Sequence, residues 1–174
     1  MYFIVNIIIY SVFVAQGLLV LFWLALLLQN KLKFAWNIVR WVKKRALFIA
    51  ALTASFAMLG SLFFSEVMLW KPCLYCWYQR IAIFPQVFLL WPAWRQKFKK
   101  IIWYSLPLAL VGVGFSLFHW FLQLTPGDFA TKCVTAGGVS CVGRYIYTGP
   151  LTIAGMATTA LLIIITLVWL QYKN

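Results

Sequence analysis

Five long apolar runs divide the chain, and most polar residues fall between them. The runs cover about Phe3–Leu28, Ala46–Trp70, Cys73–Trp94, Ile101–Leu124 and Leu151–Tyr172. A helix of about 20 residues crosses the roughly 30 Å of bilayer hydrocarbon. Polar and apolar residues do not alternate within the runs, which disfavours barrel strands. The pattern predicts an all-α integral membrane protein: a four-helix transmembrane bundle over residues 46–174, preceded by one additional N-terminal transmembrane helix. The first run lacks the basic start and small-residue cleavage site of a signal peptide. After it, Gln29–Arg45 interleaves Phe34, Trp36, Ile38, Val39, Trp41 and Val42 with basic residues. That mixture predicts a basic amphipathic helix lying on the cytoplasmic membrane surface and completing an N-terminal unit, residues 1–45. Pro85 predicts a kink in the third run; Pro92 lies near its end and Pro107 early in the fourth. Residues 125–150 read as a loop, with turn signals at Pro126-Gly127-Asp128, Gly137-Gly138 and Gly149-Pro150.

Composition agrees with that reading. The 174 residues are 65% hydrophobic and only 10% charged, against about a quarter charged in soluble domains. The net charge of +13 would point to nucleic acid in a soluble protein. Here the cations sit beside apolar runs and no separate basic domain exists, so nucleic-acid binding is not expected. Lys31, Lys33, Arg40, Lys43, Lys44 and Arg45 flank the first two runs, and Arg95, Lys97, Lys99 and Lys100 join the third to the fourth. If these blocks face the cytoplasm, Lys173 joins them and eleven of fifteen basic residues lie inside. All four cysteines then lie at the outer face of a bacterial cytoplasmic (inner) membrane, where disulfides persist.

Those cysteines carry the chemistry. Cys73 and Cys76 form a Cys-x-x-Cys pair at the start of the third run, behind Lys71 and Pro72. Two thiols at this spacing open and close a disulfide with little backbone movement. At a helix N-terminus the dipole and free N–H groups stabilise a thiolate, and Lys71 adds positive charge. Pro72 suits the first helical position. Cys133 and Cys141 lie in the long loop, separated by a tract containing Gly137 and Gly138 that allows closure into a small disulfide loop. Two dithiol pairs at one membrane face suggest a redox relay. The competing readings are buried inert thiols, a structural staple in the loop, or a zinc site drawing on both pairs. Arg80 follows Cys76 by one turn on the same helix face. A cation inside a span is costly; it either serves a polar ligand head or snorkels to the headgroups. Gln79 and Tyr78 offer further hydrogen bonds. His119, among Phe118, Trp120 and Phe121, is either packed or within reach of a bound oxidant. Glu66 marks the interface, with a proton-relay role as the lesser reading.

At these residues the chain resembles the bacterial DsbB/BdbC family of disulfide bond formation proteins. The resemblance rests on Ser65–Ile81, with its Pro-Cys-Leu-Tyr-Cys-Trp-Tyr-Gln-Arg core, and on Cys133–Tyr145, with Gly-Gly-Val-Ser-Cys before Arg144 and Tyr145. It covers about residues 46–172, the family's four-helix unit. It implies a protein-dithiol:quinone oxidoreductase that reoxidises a soluble DsbA-like thioredoxin-fold thiol oxidase and passes electrons to a membrane quinone, ubiquinone or menaquinone. Cys73 and Cys76 match the quinone-proximal pair, and Cys133 and Cys141 the pair that meets the soluble partner. Arg80 matches the arginine associated with the quinone head. His119 falls where part of the family has a quinone-site histidine, with Gln79 beside Arg80. No resident metal is implied. The N-terminal span is additional to the family's core, and the short Cys133–Cys141 spacing resembles the compact BdbC-like branch.

Two other classes remain at this point. A vitamin-K-epoxide-reductase-like protein also has four helices, a Cys-x-x-Cys and loop cysteines, but its Cys-x-x-Cys is expected late in the bundle. A non-enzymatic membrane adaptor or metal-binding module would use the cysteines structurally.

Overall fold

The computed structural model describes residues 2–29, 31–125, 139–142 and 151–172. Five long helices follow one another: α1 (Tyr2–Leu28), α2 (Lys33–Leu62), α3 (Leu74–Gln96), α4 (Ile102–Leu124) and α5 (Ile153–Tyr172). A π-helical turn, Phe63–Val67, extends α2, and a 3-10 turn, Lys99–Ile101, leads into α4. Every helix and turn of regular structure among the described residues therefore belongs to an all-α chain. Among the described residues, four helical stretches are long and apolar enough to cross a membrane: Phe3–Leu28, Lys33–Val67, Lys99–Leu124 and Ile153–Tyr172. The protein is thus a multi-pass membrane protein. α3 is not among these four, although its 23 residues reach about 34 Å. Gln79, Arg80, Gln86, Arg95 and Gln96 dilute its apolar character.

The basic stretch expected as a separate surface helix is instead the beginning of α2. No glycine or proline interrupts residues 33–59, so nothing stops the helix where the hydropathy changes. With its π turn the element is 35 residues long, near 52 Å and well beyond the hydrocarbon thickness. Its first turns carry cations over aromatic rings: Arg40 lies 5.5 Å from the Trp36 ring centroid and Arg45 5.3 Å from that of Trp41. α3 continues through Pro85 and Pro92 as one helix.

α2, α3, α4 and α5 pack on one another as the bundle, and α1 leans on α2 and α5. In lipid, helix association depends on close packing rather than on escape from water, which favours small residues at interfaces. α2 accordingly buries Ala46, Ala50, Ala51 and Ala54 against Leu90 and Ala93 of α3 and Ile164, Leu167 and Val168 of α5. Gly112 lets α4 approach closely, since a Cβ there would lie 2.6 Å from the Ala82 Cβ. Two polar bonds fix α1 on α5: Gln16 Nε2 donates to Thr159 Oγ1 at 3.0 Å and Trp23 Nε1 to Thr166 Oγ1 at 3.2 Å. Both partners advance by seven residues between the bonds, so α1 and α5 run parallel in one register.

Candidate redox site

The chain reaches the cysteines through a constrained corner. The π turn closes with Met68 N–H donating to Phe63 O at 3.1 Å, and Trp70 N–H reaches Phe64 O at 3.0 Å. Leu69 between them has φ 55°, a left-handed conformation that costs a non-glycine residue about 1–2 kcal/mol. Trp70 stacks on Phe64 with ring centroids 5.1 Å apart and anchors the corner. The helix then begins two residues later than Pro72 implies, at Leu74. Cys73 is the N-cap of α3, in extended conformation, and its Sγ accepts from the Cys76 N–H at 3.4 Å. Proline therefore precedes the cap rather than opening the helix, and the first cysteine takes a position usually held by a serine or aspartate oxygen.

Four side chains meet at this helix start. Cys73 is buried and Cys76 half-buried; both are free thiols, with their sulfurs 3.0 Å apart. Buried His119 of α4 places Nε2 at 3.5 Å from Cys73 Sγ and 3.1 Å from the carbonyl oxygen of Cys141. A carbonyl only accepts, so Nε2 carries a proton there. Nδ1 lies 3.1 Å from Gln79 Nε2, whose amide donates to it. One imidazole N–H thus faces both the Cys73 sulfur and the loop backbone at Cys141. Tyr75 stacks on the ring at 5.6 Å. Cys141 is buried and disulfide-bonded, whereas Cys133, Arg144 and Tyr145 lie outside the described residues.

On the other side of the cysteines a cavity of about 670 Å³ opens between α1, α2, α3 and α5. Cys73, Cys76, Gln79 and Arg80 line one wall of it, with Lys71 at the same end. The rest is largely apolar, including Ile8, Val12, Phe56, Phe84 and Met156. Arg80 is held in place rather than extended to an interface: its Nε donates to Ser61 Oγ at 2.9 Å and its Nη2 to Ser61 O at 3.0 Å. The guanidinium also lies 5.1 Å from the Trp77 ring centroid and 6.0 Å from that of Phe84. A fixed cation beside a thiol and an apolar chamber suits a ligand with a polar head and a hydrophobic body.

The structure therefore joins Cys73, Cys76, Gln79, Arg80, His119 and Cys141 in one region. The imidazole of His119 faces Cys73 and Cys141, and His119 is not among the residues that line the cavity. Tyr78 packs against Phe115 of α4 at 4.8 Å. Glu66 is exposed and accepts from Ser65 Oγ at 2.9 Å, as fits an interface residue. Ser61 is the functional contact that sequence reasoning missed; its signal was a polar residue beside Gly60 inside an apolar run. Cys73, Cys76 and His119 also hold their ligand atoms within 4.8 Å of one another, a possible metal-ligand set. Both imidazole nitrogens are already engaged, however, and a metal at Nε2 would displace its proton and break the bond to Cys141.

Comparison with known proteins places this arrangement. Residues 43–171 match the family of disulfide bond formation protein DsbB. The probable disulfide formation protein C of Halalkalibacterium halodurans is 44% identical over 116 residues, which is 65% of this chain and 82% of that protein. The disulfide bond formation protein C of Bacillus subtilis is 41% identical over 128 residues, 71% of this chain and 91% of the relative. A probable disulfide formation protein of Chlamydia trachomatis is 33% identical over 136 residues, 78% and 98% of the two chains. No solved structure gives a significant match. The chain belongs to the DsbB family of disulfide bond formation proteins, membrane oxidoreductases in disulfide formation.

Proposed function

We propose that this protein reoxidises a soluble DsbA-like thioredoxin-fold thiol oxidase and passes the electron pair to a membrane quinone. The observation that carries the reading is the position of Cys73. It touches the imidazole that holds the Cys141 carbonyl and, with Cys76, borders the cavity that contains Arg80. In this reading α1 and α3 both span, giving five crossings in the bacterial cytoplasmic membrane with all four cysteines outside. The charge distribution supports that orientation. The redox unit is the bundle, residues 46–174, and residues 1–45 are an addition.

Cys133 completes the loop disulfide with Cys141. A partner thiolate attacks Cys133, and the partner's second thiol resolves the mixed disulfide, leaving the partner oxidised and the loop a dithiol. The Cys141 thiolate then attacks Cys73 of a Cys73–Cys76 disulfide, and Cys76 leaves as a thiolate. Cys133 attacks Cys141, which restores the loop disulfide and leaves Cys73 and Cys76 reduced. Their two electrons and two protons go to the quinone, which supplies the oxidising power and leaves as hydroquinone. The residues fit such a ligand: the chamber is apolar, Cys76 borders it, and Arg80 offers a cation for a polar head. His119, through its Nε2–H, steadies Cys141 beside Cys73 and stabilises negative charge on the sulfur.

Trapping tests the order. With Cys141→Ala protein whose Cys133 carries a mixed disulfide with an aromatic thiol, and a partner that retains only its attacking cysteine, the partner thiolate expels the aromatic thiol and no resolving thiol remains, so the protein–partner mixed disulfide should accumulate on Cys133. Accumulation on Cys73 instead would reverse the assignment of the pairs. Absence of reaction with any thioredoxin-fold partner would return the loop to a structural staple.

A further inference from the structure

Helix α1 lies outside the region matched to the family. Most of it faces away from the bundle, with Phe3, Val14, Leu18 and Leu21 at least 60% exposed. Yet five of its residues, Ile4, Ile8, Ser11, Val12 and Ala15, line the cavity that also holds Cys76 and Arg80. They recur at intervals of three or four residues and so form one face of the helix. That face is held inward at both ends. Val5 and Ile9 are buried with Phe64 and Leu151, and the Gln16–Thr159 and Trp23–Thr166 bonds fix the register further along. Only the cysteine end of the cavity carries Arg80, Gln79 and thiols; the α1 wall contributes aliphatic groups and one hydroxyl.

We infer that α1 forms the wall that seats the apolar tail of the membrane quinone, so that this added helix sets tail selectivity. The inference rests on the proposed quinone reaction and deepens it. A head group of ring size fills a small part of 670 Å³, and Ile8 and Val12 of α1 line the same cavity. Without α1 the same groove would face lipid, and acyl chains would compete for it.

The test is labelling with a quinone whose tail carries a photoreactive group, in vesicles containing the full-length protein. Wild type should crosslink within residues 4–15, and excess unlabelled long-tailed quinone should abolish the label. Val12→Trp, which narrows the chamber at the α1 wall, should lower that labelling and raise the KM for long-tailed quinone about tenfold, while a tail-less quinone changes far less. Val14→Trp, on the exposed side, should leave both at the wild-type level. Labelling confined to α2–α5, or equal KM changes for tailed and tail-less quinones, would overturn the inference while quinone reduction stands. A phospholipid carrying the same group on its acyl chain that labels α1 and resists displacement by quinone would overturn it too. Wild type that neither binds nor reduces quinone would instead sink the proposed function itself.

Discussion

Two glutamines on α3, seven residues apart, mark the two ends of one stretch of helix, and what differs between those ends is instructive. Gln86 is fully buried in the middle of the helix, and Ser105 of α4 answers both halves of its amide. Its Nε2 donates to Ser105 O at 2.9 Å, and Ser105 Oγ donates to its Oε1 at 2.6 Å. The pair is closed on itself, with both side chains fully buried, and locks α3 to α4. Gln79 is nearly as buried, at 4% exposure, but its amide orients an imidazole that meets a thiol and the loop, and it borders the cavity. Burial of a polar side chain in a membrane protein is therefore not in itself a sign of chemistry. A polar group whose bonds return to one partner holds helices together, whereas one whose bonds lead to a thiol and an open chamber stands where the proposed reaction takes place.

Substitutions at the two ends should therefore separate activity from stability. The largest effect is expected at Cys76→Ala, which should bring quinone reduction to background while the loop disulfide still accepts one electron pair from the partner. Stopped-flow absorbance and thiol titration read the two halves. Next, His119→Phe should slow transfer from the loop dithiol to the Cys73–Cys76 disulfide about a hundredfold, the scale of a lost hydrogen-bond donor to developing negative charge. Reduction of quinone by a chemically pre-reduced Cys73–Cys76 pair should change little, which a merely misfolded variant would not reproduce. At the other end, Gln86→Ala strands the Ser105 hydroxyl and should cost about 1–3 kcal/mol in denaturant unfolding in micelles. Turnover per folded molecule should be unaffected. The smallest effect is expected at Arg80→Lys, which keeps the charge but loses the two-pronged hold on Ser61; quinone KM should rise about fivefold with kcat nearly constant. Should Gln86→Ala abolish turnover in folded protein, or His119→Phe act only on stability, the distinction between the ends fails.

Much of this was legible in the residues. The thiol pair, Arg80 one turn away and the positions of the long helices follow from spacing and hydropathy, because membrane helices must be long and apolar. Hydropathy marks where a helix leaves the bilayer, not where it ends, so the unbroken course of α2 through Lys33–Arg45 was hidden. Proline marked the start of α3 to within two residues, but only the backbone reveals that Cys73 itself is the cap. The partners of His119 come from α3 and from the loop, far away in sequence. No periodicity encodes such a meeting. Gln86 carried a signal, an amide inside an apolar run, whose partner Ser105 only the packing of α3 on α4 identifies.

The most direct measurement is an anaerobic stoichiometry. Purified protein is mixed with excess quinone and a limiting amount of reduced DsbA-like partner, and hydroquinone formation and thiol loss are followed together. The relay predicts one quinone reduced for each partner dithiol oxidised, with both processes stopped in steady state by Cys76→Ala. Oxidation of the partner without matching hydroquinone, or turnover that persists in Cys76→Ala, would contradict the path from the loop through Cys73 and Cys76 to the quinone.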